Sequence, residues 1–316
     1  MRKFSFTDLS VFTGAAVLTA AMAVPAHGVV VFDDSFADGD QAKTGALDTN
    51  WWTSSSSSGD EISVGSLGLV TGTSGRGLHT IFPTQTLSNV GDKIVASYTY
   101  TTPTTIDTSG GNSSALRFGL YDSLGQPGLD AHVSASSGSP NALYGWGVAS
   151  GGPGTQPLPG YMMDLDVYNN SDLVAAAGAD INFREHVQST ITGTGRLMAT
   201  TSNFSSLTSG PDLGYVWDPN TQYTGSITIE RISATEIEIT GNHNGATHSQ
   251  TDAFDSVNFS MFGVHTNSNK FGSSNSAGDP DNGLDFSNIK VEFLPVPEPA
   301  SLALVGLGGL AILRRK

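Results

Sequence analysis

The chain has 316 residues, of which 14% are charged, and its formal net charge is −15 at pH 7. The scarcity of lysine and arginine argues against nucleic acid as a partner, because nucleic acid is bound mainly through cations on the protein. The absence of cysteine excludes disulfides, thiol catalysis and cysteine-ligated metals, so stability must come from the core or from bound ions.

Residues 1–26 are predicted to be an export signal. A basic pair opens the segment, residues 11–24 are apolar and small, and Ala21-Met22-Ala23 or Val24-Pro25-Ala26 supplies a cleavage site. This order is typical of a secretory signal peptide, which is removed and takes no part in the fold. A retained membrane anchor is the alternative, and the shortness of the apolar part disfavours it.

The region 27–294 has the pattern of an all-β domain. Apolar and polar residues alternate, and Gly, Asn, Ser and Pro interrupt them at intervals of roughly ten residues, which predicts one β-sandwich or barrel. The clearest strands are predicted at residues 93–101, 115–121, 161–168, 181–187, 224–232, 236–242, 257–266 and 284–293.

Two hairpins are predicted in the second half of this region. Isoleucines alternate with polar residues on both sides of a turn at 233–235, so one face should be buried and the other wet. Asn244-Gly245 is a favoured two-residue turn pair. His243 and His248 flank this turn, and we expect both to be exposed, because two histidines without a third ligand make a poor zinc site.

The β region begins and ends with segments of distinctive sequence. It begins with Val30-Val31-Phe32-Asp33-Asp34-Ser35-Phe36, with Trp51-Trp52 further on, and ends with Gly283-Leu284-Asp285-Phe286 and the strand that follows. Both segments resemble the ends of concanavalin A-like jelly-roll domains. The resemblance implies a jelly-roll β-sandwich whose first and last strands lie together. The predicted fold class is all-β, with the β-sandwich flanked by an N-terminal signal helix and a C-terminal hydrophobic helix.

Four carboxylates lie close together near the start of this region. Calcium takes about six to eight oxygen ligands, so an ion could pin this loop to the closing strand. The resemblance also implies a structural calcium here. The alternative is a solvated acidic turn whose aspartates cap loop amides. The candidate ligands are Asp33, Asp34, Asp38, Asp40 and Asp285.

One predicted strand invites comparison with glycosidases of the same fold. Those enzymes carry Glu-x-Asp-x-x-Glu on a strand, and the corresponding positions here are Asp164, Asp166 and Asn169. A retaining mechanism needs two carboxyl groups about 5 Å apart, and an amide cannot serve as the acid/base. We therefore predict no enzymatic activity and assign no catalytic residue. A glycan-active hydrolase with an atypical site is an alternative.

Two tryptophans are candidates for glycan binding. In the resembled fold the concave sheet often binds glycans, and aromatic rings stack on the apolar faces of sugars. Trp146 and Trp217 are surrounded by glycines and loop residues, which favours them for this role. The alternative is that they fill the sandwich core or cover its rim.

The chain closes on a proline-rich joint, an apolar run and three cations. Proline cannot continue a strand or a helix, so the joint ends the β domain. The apolar run, 302–313, is shorter than the roughly 20 residues of a permanent span, which favours a temporary membrane helix. The terminal cations should stay on the cytoplasmic side.

The tail resembles the PEP-CTERM sorting signal of Gram-negative bacteria. The resemblance rests on three parts in a fixed order: Val296-Pro297-Glu298-Pro299, the apolar run, and Arg314-Arg315-Lys316. The resemblance covers residues 295–316. It implies recognition by an exosortase, a membrane protease/transpeptidase, and removal of the tail near the Pro-Glu-Pro motif.

The predicted protein is therefore exported and non-enzymatic, and acts at the cell envelope, at the cell surface or in the extracellular matrix. The resemblance implies an association with exopolysaccharide or biofilm, with exosortase and exopolysaccharide as partners and a transient membrane contact. The alternatives are a glycan-binding jelly-roll module and the atypical hydrolase.

Overall fold

The computed structural model describes most of the β region, and none of the described residues lies in a helix. Their architecture is a jelly-roll β-sandwich of two antiparallel sheets, which confirms the predicted fold class. The described residues are 28–39, 42–53, 60–63, 65–69, 76–106, 116–125, 158–166, 181–187, 198, 204–207, 210, 217–266, 271 and 283–297.

The first sheet is organised around the closing strand. Its strands, in spatial order, are β13 (Ala246–Ala253), β12 (Glu236–His243), β11 (Gln222–Arg231), β6 (Lys93–Thr101), β15 (Leu284–Leu294), β4 (Ser66–Leu69) and β3 (Asp60–Ser63). The first strand, β1 (Val29–Asp34), pairs with β15, so the prediction that the first and last strands lie together is confirmed.

The second sheet packs against the first. Its strands, in spatial order, are β10 (Phe204–Ser206), β9 (Ile181–His186), β8 (Gly160–Leu165), β7 (Leu116–Tyr121), β14 (Asn258–Thr266), β5 (Arg76–Thr86) and β2 (Trp52–Thr53). The main core lies between the two sheets, where the ring of Tyr98 stacks on that of Phe118 at a centroid distance of 3.7 Å.

Alternation along β11 and β12 builds this core as the sequence predicts. Ile227, Ile229, Ile237 and Ile239 are all fully buried. Because successive side chains of a strand point to opposite faces, the intervening polar residues stay at the surface. Burying each isoleucine contributes on the order of 2 kcal/mol of transfer free energy.

The second sheet is buried on both faces at its centre, because a smaller apolar cluster covers its outer face. β7 and β8 are therefore buried along their whole length and do not show simple alternation. The outer cluster consists of Tyr121, Leu158, Met162, Met198, Phe204 and Met261.

The hairpin predicted at Asn244-Gly245 is present. Both residues have positive φ, 49° and 87°, as a two-residue turn of the primed type requires. The predicted exposure of His243 is wrong, because the alternation set by Ile237 and Ile239 turns this residue inward. Its ring is fully buried, and its Nε2 lies 2.7 Å from the hydroxyl of Tyr100.

Residues His27–Val296 form one compact unit. Within the described part of the chain, no helix has the length and apolar character that crossing a bilayer requires. The predicted signal peptide at 1–26 and the apolar run of the tail lie outside the described residues.

Candidate functional site

The joint between the β-sandwich and the sorting motif is held by a specific hydrogen bond. β15 ends at Leu294, and Pro295 and Pro297 flank Val296. Since proline has no amide hydrogen, Val296 carries the single N–H of these three residues. That N–H donates to Oδ1 of Asp92 at 2.7 Å.

Asp92 lies in the turn between β5 and β6 and is 1% exposed. Its second carboxylate oxygen, Oδ2, accepts the backbone N–H of Asn89 at 2.8 Å. Gly91 has φ +94°, and a Cβ there would lie 2.7 Å from Cγ2 of Val296. We call Asn89, Gly91 and Asp92 the tail seat, because together they hold the last residue before Pro297.

Arg231 of β11 fixes the backbone of the tail seat. Its Nη1 donates to the carbonyl of Leu87 at 3.0 Å and to that of Ser88 at 2.8 Å. Its main chain accepts the N–H of Gly91 at 2.6 Å and donates to the carbonyl of Asp92 at 3.0 Å. The seat is therefore tied to a central strand of the first sheet.

Of the predicted sorting residues, the structure describes Val296, which is 38% exposed, and Pro297. Glu298, Pro299, Arg314, Arg315 and Lys316 lie outside the described residues.

Asp164, the first residue of the glycosidase-like pattern, is enclosed by arginines. It is fully buried on β8, and its Oδ1 accepts Nε of Arg117 at 3.0 Å. Its Oδ2 accepts Nε of Arg184, and Arg117 also donates to the carbonyl of Met198. Asp166 is 3% exposed, and Asn169 lies outside the described residues. Both oxygens of Asp164 thus bind cations and do not point into open space.

Other buried polar groups lie on the outer face of the second sheet, near this ion cluster. The ring of Tyr121 lies across Gly119, where an added Cβ would come within 2.3 Å of the hydroxyl. Among the described residues, the Tyr121 hydroxyl and both ring nitrogens of His186 have no hydrogen-bond partner. Burial lowers the pKa of His186 to about 4, so its ring is neutral near pH 7.

The structure does not bring the predicted calcium ligands together. Asp34 accepts the N–H of Phe36 through Oδ1 and Nε1 of Trp51 through Oδ2, each at 2.7 Å. Oδ1 of Asp33 accepts Nδ2 of Asn288 at 2.8 Å, and Oδ2 of Asp38 accepts the hydroxyl of Thr44 at 2.6 Å.

The described aspartates therefore do not fit a calcium ion. In the part of the chain that the structure describes, no group of three or more His, Asp or Glu side chains could hold a metal. Asp285 is exposed on β15, and Asp40 lies outside the described residues. Burial, opposed by the hydrogen bonds from Trp51 and Phe36, raises the pKa of Asp34 to about 6.

Trp217 lies in an aromatic cluster inside the sandwich. Its side chain is 2% exposed, and its ring stacks on those of His243 and Phe271 at centroid distances of 5.0 and 5.3 Å. The ring is therefore packed and does not present an open platform to a sugar. Trp146 lies outside the described residues.

The tail seat could not be found from the sequence. Asp92 and Val296 are 204 positions apart, and the turn around Asp92 carries no motif. The sequence shows only that Val296 lies between two prolines and so carries an isolated backbone N–H donor. It does not show which group accepts that hydrogen bond.

The comparison with protein families confirms the predicted sorting signal. Residues 295–316 match the PEP-CTERM protein-sorting motif. The chain is thus a β-sandwich protein with a sorting signal that indicates export and an envelope-associated location in bacteria. No curated protein matches the chain.

Several solved structures are similar in fold. A Lotus tetragonolobus seed lectin is 11% identical, with 86% of this chain and 100% of the lectin covered and a TM-score of 0.41. The endo-1,3-beta-glucanase from Streptomyces sioyaensis is 13% identical, with 86% and 99% covered and a TM-score of 0.44. The potassium-bound Emp46p carbohydrate recognition domain is 9% identical, with 82% and 97% covered and a TM-score of 0.41.

Proposed function

We propose that this protein is a non-enzymatic cell-surface or extracellular-matrix protein of a Gram-negative bacterium, sorted by an exosortase and associated with exopolysaccharide or biofilm. One observation carries the proposal. The closing strand runs to Leu294, and the sorting motif begins at the next residue, Pro295. The β-sandwich is thus joined directly to the signal that the sorting machinery reads.

The surroundings of Asp164 support a non-enzymatic role. A nucleophilic carboxylate must reach the substrate with a second carboxyl group about 5 Å away. Asp164 is fully buried, and Arg117 and Arg184 occupy its two oxygens. Release of sugar from a polysaccharide by the purified protein, abolished in Asp164→Asn but retained in Arg184→Lys, would overturn this part of the proposal.

Sorting is tested in cells that produce the full chain with and without an exosortase. With the enzyme, we expect mass spectrometry to find the protein outside the cytoplasm and shortened near the motif. Without it, the chain should keep its C-terminal residues. The double substitution Pro297→Ala/Glu298→Ala should also block shortening, whereas Glu292→Gln on β15 should not. A cytoplasmic protein with both ends intact would contradict the proposal.

Glycan binding is the second candidate function. The hydroxyl of Tyr121 and the ring of His186 are buried polar groups that have no hydrogen-bond partner among the described residues. Sugar hydroxyls both donate and accept hydrogen bonds, so they could satisfy both groups. Because both side chains are at most 1% exposed, binding would require the apolar cluster on this face to move aside. The test is binding of the exported protein to a panel of polysaccharides. Binding that His186→Phe abolishes and Trp52→Phe leaves intact would support this role, and failure to bind any member would exclude it.

A further inference from the structure

The tail seat binds a residue of the sorting motif itself. Residues 295–299 contain three prolines, so Val296 and Glu298 supply the only backbone N–H groups of this stretch. The body engages that of Val296 through Asp92 at 2.7 Å. We propose that the tail seat restrains the sorting motif, and that Val296 must leave Asp92 before the tail is processed. This inference rests on the proposed function.

The seat is a built site and not a chance surface contact. The Asp92 side chain is buried, and each of its oxygens accepts a backbone N–H, from Val296 and from Asn89. The absence of a Cβ at Gly91 makes room for Cγ2 of Val296. A charged acceptor strengthens such a bond relative to a neutral one.

The restraint follows from how enzymes hold extended peptides. They bind the substrate backbone through its N–H and C=O groups, much as an added β-strand is bound. Processing breaks one peptide bond of the motif, transfers its carbonyl carbon to water or an amine, and leaves the departing nitrogen with a proton. While Asp92 holds the Val296 N–H and Gly91 holds its side chain, this residue cannot make the same contacts with an enzyme.

The expected size of the effect follows from the hydrogen bond. An enzyme that acts only on the released tail is slowed by the fraction of molecules whose tail is seated. A net contribution typical of a hydrogen bond to a charged group corresponds to about a tenfold change in the ratio of released to seated tails, and hence in the released fraction while most tails are seated. Loss of the Asp92 acceptor should therefore accelerate processing by about tenfold.

The test is a pulse-chase of the full-length protein in cells that contain an exosortase, with the shortened form quantified over time. Asp92→Asn keeps the size of the side chain but replaces one acceptor oxygen with an NH2 group. One of the two N–H donors, that of Val296 or that of Asn89, then loses its acceptor. Gly91→Ala disrupts the tail seat in a different way, because the added Cβ would displace the side chain of Val296. Both should accelerate processing, while the charge control Asp218→Asn, an exposed position beside Thr102 at the end of β6 opposite Asp92, should not.

An insertion separates restraint from a general effect on folding. Four residues, Gly-Ser-Gly-Ser, placed between Val296 and Pro297 leave the seat filled but free the rest of the motif. We expect this variant to be processed faster than the natural chain and to show no further acceleration with Asp92→Asn. If Asp92→Asn acted only by loosening the fold, it would accelerate both backgrounds equally.

The outcomes distinguish this inference from the proposed function. If the natural chain is never shortened in the presence of an exosortase, the proposed function fails. If it is shortened, but neither Asp92→Asn nor Gly91→Ala accelerates the reaction, the restraint is disproved and the proposed function stands. Slower processing in both variants would also disprove the restraint.

Discussion

At the scale of single residues, Glu185 of β9 is the most strongly perturbed glutamate described. Burial, together with the charges of Asp252 and Asp255, raises its pKa to about 7. Burial also raises the pKa of Asp252, which lies on β13 of the other sheet. The two sheets thus bring carboxyl groups together at this edge of the sandwich, so Glu185 binds its proton more tightly in the folded than in the unfolded state.

The first prediction is a pH-dependent stability effect of Glu185→Gln. The folded pKa of about 7 lies above the ordinary value of 4.5, so the folded state holds more protons between these values. The stability that this provides is complete below about pH 4.5 and is lost as the pH rises through 7. Glutamine cannot ionise, so the variant should gain stability relative to the natural protein across this window. Denaturant midpoints measured between pH 4 and pH 8 would show it.

The comparison must be made as a difference between variants, because buried histidines act in the opposite direction. Burial lowers the pKa of His243 to about 3 and that of His186 to about 4, so the unfolded state takes up more protons as the pH falls below 6.5. Glu236→Gln, at an exposed position, serves as the charge control. A Glu185→Gln effect of equal size at every pH would contradict the assignment.

The second prediction concerns the ion cluster around Asp164. Asp164→Asn leaves Arg117 and Arg184, which are 4% and 20% exposed, without their counter-charge. Breaking a buried ion pair from one side costs about 3–5 kcal/mol, because an uncompensated charge stays buried. The free energy of unfolding, measured in urea, should fall by that amount.

The control for this prediction removes all three charges together. The triple variant Arg117→Met/Asp164→Leu/Arg184→Met should recover most of the lost stability, since an apolar replacement of a buried ion network is often neutral. If Asp164→Asn instead cost less than about 1 kcal/mol, the cluster would be too well solvated for this account.

At the scale of elements, alternation of apolar and polar residues predicts the strands that show it and misses strands whose alternation is interrupted or too short to recognise. β6 was predicted at its observed bounds, and its burial alternates along the whole strand. β5 escaped prediction because Pro83 interrupts its pattern. The register between β5 and β14 shifts at this point, so a bulge accommodates a residue that cannot donate to the ladder. β2, with two residues, is too short to show any period.

The third prediction concerns the pairing of β1 with β15 and the calcium ion that the sequence suggested there. The two strands are joined by the bond from Asn288 to Asp33 at 2.8 Å, and Asp34 and Asp38 accept hydrogen bonds from the protein. We therefore expect the same melting temperature in millimolar calcium and in excess chelator. A rise in calcium that Asp38→Asn abolishes would establish the site. Asn288→Ala should lower the melting temperature in both solutions.

At the scale of the whole molecule, the sequence predicts sorting better than it predicts the sites. The sorting signal is local, so its order of prolines, apolar residues and cations could be recognised directly. The tail seat, the ion cluster of Asp164 and the burial of Trp217 all depend on contacts between distant segments. For Trp217, for example, the glycine-rich surroundings favour a glycan-binding role over core packing, yet its ring packs against that of His243 inside the sandwich.

The fourth prediction is that the stable body extends beyond its last strand to Val296. Two shortened proteins, residues 27–297 and residues 27–294, differ by Pro295, Val296 and Pro297. The shorter one loses the bond to Asp92 and leaves this buried carboxylate with one of its two backbone partners. An unsatisfied buried charged group costs about 2 kcal/mol, so the denaturant midpoint should fall measurably. Asp92→Asn should destabilise the longer protein and have little effect on the shorter one. Equal stabilities of the two proteins would mean that the body ends with β15 and that the tail seat contributes nothing to it.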